Sequence, residues 1–130
     1  MTRTTFLTIT SIIALAVGAF VVVAPGAVLA SKGVGASAAG NLWARELGIA
    51  LIAVGVVAFV VRRHADSPTL RAFLAGMALL QLGLLPIEII GYGAGVITDV
   101  RGIVPNSILH VVLAIGFALY AIRMRVIASA

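Results

Sequence analysis

The sequence predicts an all-α membrane protein, a bundle of four transmembrane helices with both termini on the cytoplasmic side. Three observations carry this. The chain has 130 residues, 62% of them hydrophobic and only 10% charged, where soluble domains average about 45–50% and about 25%. Mean hydropathy is +1.23. The apolar residues gather into four runs near the roughly 20 residues needed to cross a hydrocarbon core of about 30 Å. The basic residues flank those runs. So few charges cannot cover the surface of a small water-soluble protein, so lipid must be the solvent for much of it. The length allows a single domain over 1–130.

The first span runs from about 6 to 24. It also reads as a signal peptide, with Arg3 as n-region and Val28-Leu29-Ala30 as cleavage site. Its apolar stretch exceeds the usual h-region, which favours a retained span. Residues 25–41, PGAVLASKGVGASAAGN, read as a flexible loop in which Asn41 can cap the second span. That span covers about 42–61 and carries Arg45 and Glu46 in its first turns. A short basic turn, RRHADSPT, follows. Asp66 or Ser67 can cap the third span, about 70–92, with Pro68 near its first position. A glycine-rich loop over 91–103 leads to the fourth span, about 104–124, with Pro105 at its start.

Orientation follows from the Lys/Arg distribution. The N-terminus, the 62–71 turn and the C-terminus hold Arg3, Arg62, Arg63, Arg71, Arg123 and Arg125. The other side holds Lys32, Arg45 and Arg101. The richer side should face the cytoplasm, which places Trp43 and Tyr92 at the outer interface and Tyr120 at the inner one. The net charge of +5 is thus explained by topology, and no nucleic-acid partner is expected. With no cysteine in the chain, thiolate catalysis, disulfides and Cys-based metal sites are excluded.

Small residues recur at four-residue spacing: Ala14 and Gly18, Ala72 and Gly76, Ala114 and Ala118. Such pairs let helix backbones approach closely in lipid. Thr4, Thr8 and Ser11 line one face of the first span, where hydroxyls commonly bond back to the helix backbone.

Charges within the hydrocarbon region are costly and usually face protein or water. Arg45 and Glu46 lie about 5 Å below the outer end of their helix, Glu88 about 6 Å and His110 about 9 Å, at the helical rise per residue. Four ionisable groups on three helices at one depth form the strongest site signal. Helical periodicity places Leu74, Met77, Gln81, Glu88 and Tyr92 on one stripe of the third span. Asn106, His110, Ala114, Phe117 and Ala121 share a stripe of the fourth. Both stripes should face inward. Arg45 and Glu46 are about 100° apart around their helix, so only one can point to the centre. Pro86, without an amide hydrogen, should kink the third span beside Glu88 and free the Leu82 carbonyl. The expected ligand-binding set is Arg45, Glu46, Gln81, Glu88, Asn106 and His110, with Arg45 pairing Glu88.

The Ala44-Arg45-Glu46-Leu47-Gly48 stretch opening the second span, the Arg62-Arg63 pair closing it and a histidine in the fourth resemble features of small bacterial four-helix membrane proteins. Some of these are loosely grouped as DoxX-like. The resemblance covers the hydropathy profile of nearly the whole chain. It implies a four-helix bundle in a bacterial inner membrane and carries no reaction or catalytic residues.

No nucleophile–base–acid spacing, P-loop or HExxH motif is present. The sequence therefore leans away from an enzyme, with no catalytic residue, metal or cofactor expected. Haem is disfavoured because His64 and His110 lie on opposite sides. Three functions remain. The first is a membrane protein that binds or carries a small or lipid-like molecule in an outer-leaflet polar pocket. The second is a structural or accessory subunit of a larger complex, or a homo-oligomer. The third is a membrane enzyme using Glu88 and His110 as acid and base. The expected surroundings are membrane lipid, with a small-molecule ligand under the first reading.

Overall fold

A computed structural model of the chain describes residues 1–124. Arg125, one of the cations counted above, lies outside the described residues. The described residues form five helices: α1 (Arg3–Val23), α2 (Pro25–Ser31), α3 (Ala38–Val61), α4 (Pro68–Gly93) and α5 (Val100–Arg123). All but α2 are long and apolar enough to cross a membrane.

The long helices begin at capping side chains, which satisfy amide donors the helix leaves open. Thr2, Ser37, Ser67 and Asp99 accept from Thr5, Gly40, Leu70 and Arg101 amides. Ser67 and Pro68 therefore act as the sequence predicts. Asn41 does not: Ser37 caps α3, and Asn41 sits inside its first turn. The fourth span also starts earlier than expected, at Val100, because Asp99 supplies the cap and Pro105 falls inside the helix. Arg101 bonds the Asp99 carboxylate through Nε and Nη2, each at 3.1 Å. These hydrogen bonds hold the Asp99 carboxyl below the ordinary aspartate range.

The segment expected to be a flexible loop contains α2. Pro25 opens it, with φ already set for a helix. Gly33 closes it in the left-handed region at φ +67°, where a side chain would be strained. There the Val34 amide donates to Leu29 O at 3.0 Å. Lys32 O then accepts from the amides of Thr98 and Asp99, both at 3.1 Å. The Thr98 hydroxyl donates to Gly33 O at 2.8 Å. These bonds staple the end of α2 to the loop before α5. The Ser31 carbonyl lies so close to Gly102 that no Cβ would fit there.

The long helices pack as two antiparallel pairs, α1 with α3 and α4 with α5. The first pair is set by glycine. A Cβ on Gly18 would lie 2.8 Å from Gly48 O, and one on Gly55 would lie 3.1 Å from Leu15 N. Without Cβ atoms the backbones come into contact, which in lipid is where helix association gains its dispersion energy. Of the other small pairs in the sequence, Ala114 is buried against the core, whereas Gly76 faces open space.

The two pairs meet at the end that carries Met1 and Met124. There Phe6 and Leu7 of α1, Ala58 of α3, Leu70 and Leu74 of α4, and Phe117 and Ala121 of α5 form a closed apolar core. Phe6 meets Phe117 edge-on at 4.9 Å. Side chains also tie this end: Arg3 pairs with Asp66 and bonds His64 O, Thr4 donates to Arg62 O at 3.1 Å, and Tyr120 donates to Met1 O at 2.7 Å. Away from the termini the pairs diverge.

Candidate functional site

Divergence of the pairs leaves a cavity of about 340 Å³ that all five helices help to line. Thr10, Ala58, Met77 and Phe117 lie at its closed end. Val28, Lys32 and Ile97 lie at the other. Along α1 the lining runs from Thr10 to Val21, about 16 Å at the helical rise. Among the described residues every lining side chain is apolar except Thr10, Lys32, Gln81, Glu88, Asn106 and His110. Leu47 of α3 and Leu80 and Ile87 of α4 line the cavity and are also 52%, 40% and 65% exposed. The cavity therefore opens sideways between α3 and α4, on the apolar flank of the molecule.

The polar groups form one hydrogen-bonded chain along the wall made by α4 and α5. α4 runs unbroken through Pro86 and buries Gln81 and Glu88. One turn of α5 supplies Asn106, Ser107 and His110. The Glu88 carboxylate accepts from Lys32 and from Asn106 Nδ2 (2.7 Å) on Oε1, and from Ser107 Oγ (3.0 Å) on Oε2. The second Asn106 Nδ2 hydrogen faces His110 Nε2 at 3.0 Å. Nε2 is thus an acceptor, and the ring hydrogen sits on Nδ1, which donates to Gln81 Oε1 at 2.6 Å. Donor and acceptor alternate without conflict from Lys32 to Gln81. A carboxylate at this depth would be expensive alone, and three donors, one of them the Lys32 cation, offset the cost.

Two polar atoms of the wall stay unused by protein. Gln81 Nε2 and Asn106 Oδ1 make no hydrogen bond among the described residues, and neither is sealed from the cavity. They can serve a polar atom lodged beside them. Among the described residues no three His, Asp or Glu side chains come together as a metal site would need.

The structure thus unites Gln81, Glu88, Asn106 and His110 as the two stripes predict. It does not bring Arg45 and Glu46 to them. Both are exposed, and the Arg45 side chain turns to Val22 O at 3.3 Å. The partner of Glu88 is Lys32, not Arg45. The reason is α2: its fold-back carries the chain's only lysine to Glu88, while Arg45 and Glu46 stand on an exposed face of α3. Ser107 was also missed, because one residue from Asn106 it lies off the inward stripe. The sequence did hold a signal for Lys32, a single lysine in an otherwise uncharged loop at the end where Glu88 needs a cation.

No protein-family model, curated protein or solved structure matches this chain.

Proposed function

We propose that the chain is a multi-pass protein of the bacterial inner membrane, its four long helices gathered as a bundle with both termini cytoplasmic, that binds a lipid-like amphiphile. The observation that carries this reading is the polar chain from Lys32 to Gln81 on one wall of an otherwise apolar cavity. A cavity of about 340 Å³ falls in the usual range for small-molecule sites, which pair apolar walls with a few placed polar groups. The opening between α3 and α4 would let a tail enter from the bilayer, with the head near the outer leaflet. A site serving only to fix helix register would not need a cavity beside it. The orientation rests on the bias of arginines toward the terminal end. The DoxX-like resemblance supports the bundle and the membrane, and supplies no ligand.

The test is lipid retention. Protein purified in mild detergent and examined by native mass spectrometry should keep one amphiphile per chain. Ala14→Phe, which fills the cavity from α1, should lose it while the protein stays folded. Equal retention by both would place the bound lipid elsewhere and defeat the reading.

A further inference from the structure

Among the described residues the cavity contains one full positive charge, Lys32, and one full negative charge, Glu88, and each is spent on the other. The Glu88 carboxylate is further occupied by Asn106 and Ser107. His110 contributes no charge in this arrangement, since its Nε2 accepts from Asn106 and its Nδ1 hydrogen goes to Gln81. Arg45, the cation that would suit an anionic head, is exposed and points to Val22 O instead. The open positions on the wall are a neutral amide donor, Gln81 Nε2, and a neutral amide acceptor, Asn106 Oδ1. A ligand carboxylate or phosphate placed there would meet Glu88 with no free cation. A ligand ammonium would meet Lys32 with no free anion. Desolvating either ion without a partner is costly.

We infer that the ligand is an uncharged amphiphile whose head carries a hydroxyl or carbonyl oxygen, held by the amides of Gln81 and Asn106. A hydroxyl can accept from Gln81 and can donate to Asn106. A carbonyl uses Gln81 alone. The inference rests on the cavity being an amphiphile site, as proposed above, and adds the charge of the head. It also explains why a pair of ions stands in an apolar cavity: together they bias the site against ions of either sign.

The experiment uses the full chain in phosphatidylcholine nanodiscs and three probes with one tail, dodecanol, dodecanoate and dodecylamine, each added at a pH where its head has the stated charge. Binding is read from quenching of the intrinsic fluorescence by brominated forms of the probes, with Ala14→Phe as the blocked control. Dodecanol should bind at least tenfold more tightly than either ion, and Ala14→Phe should abolish it. Gln81→Leu should weaken dodecanol roughly fivefold, the worth of one hydrogen bond. Dodecanal in place of dodecanol separates the head types: only the alcohol should respond to loss of the Asn106 acceptor. Glu88→Gln leaves Lys32 unpaired and should reverse the preference toward dodecanoate. Should that variant fold poorly, the wild-type ranking and Gln81→Leu decide alone. An ion that binds as tightly as the alcohol, and is blocked by Ala14→Phe, overturns the uncharged head and leaves the amphiphile site standing. Binding of none of the probes, or binding unaffected by Ala14→Phe, overturns both.

Discussion

Glu88 is the residue on which the site turns. A carboxylate inside an apolar helix is tolerated only where donors surround it, and here one donor, Lys32, arrives from a different element than the sequence suggests. This pairing has a measurable consequence. Glu88→Ala leaves Lys32 without its anion and Asn106 and Ser107 without an acceptor, and should cost about 2–4 kcal/mol in detergent. Lys32→Met should cost less, because the carboxyl keeps two donors and can take up a proton. The double variant should lose clearly less than the sum of the two, since neither partner is stranded. Additive losses would show that the two groups do not interact in solution. The same cycle on Arg45 and Glu88 should be additive, because Arg45 is turned away toward Val22 O.

Elements are positioned by small local features. Gly18 and Gly48 let α1 and α3 touch, and the end of α2 depends on the positive φ of Gly33. Gly18→Ala would place a methyl 2.8 Å from Gly48 O and 3.0 Å from Ile52 N. Both are backbone atoms, so the helices must part, at about 1–3 kcal/mol. Gly76→Ala meets nothing within 4 Å and should leave stability unchanged or raise it by up to about 1 kcal/mol through helix propensity. Thermal melts followed by the single tryptophan, Trp43 on α3, compare the two directly. An equal response at both positions would mean that the α1–α3 contact is not the one described.

At the scale of the molecule, two tight pairs joined at one end leave room at the other. The apolar core beside the termini acts as a closed floor, and α2 with the loop before α5 forms the far wall. Met1 and Met124 therefore share an end whatever the side of the membrane. The proposed side rests on the arginine bias, and a cysteine-free chain makes it simple to check. Gly35→Cys, in the loop after α2, should react with an impermeant thiol reagent added to intact cells. Ala65→Cys, in the turn before α4, should react only after lysis. The reverse pattern would turn the protein over and put the cavity mouth in the other leaflet.

Sequence alone determined the class and the number of long helices, because lipid leaves a strong compositional mark and each span must meet a fixed length. It also determined which faces of α4 and α5 turn inward, since Gln81, Glu88, Asn106 and His110 follow the helical period and polar side chains in lipid must face one another. Tyr92, assigned to the same inward stripe, is instead 49% exposed near the end of α4, where the helix runs past the packed region. The tertiary structure decided the rest. That α2 is placed so as to bring Lys32 to Glu88 across 56 residues of chain depends on the bonds that Lys32 O and Gly33 O accept from the loop before α5. No local period encodes those bonds. The rejection of Arg45 and Glu46 from the site, and the cavity itself, depend on how the two helix pairs diverge. A cavity is a property of the space between elements, fixed by the distances at which they pack, and it leaves no pattern within any one of them.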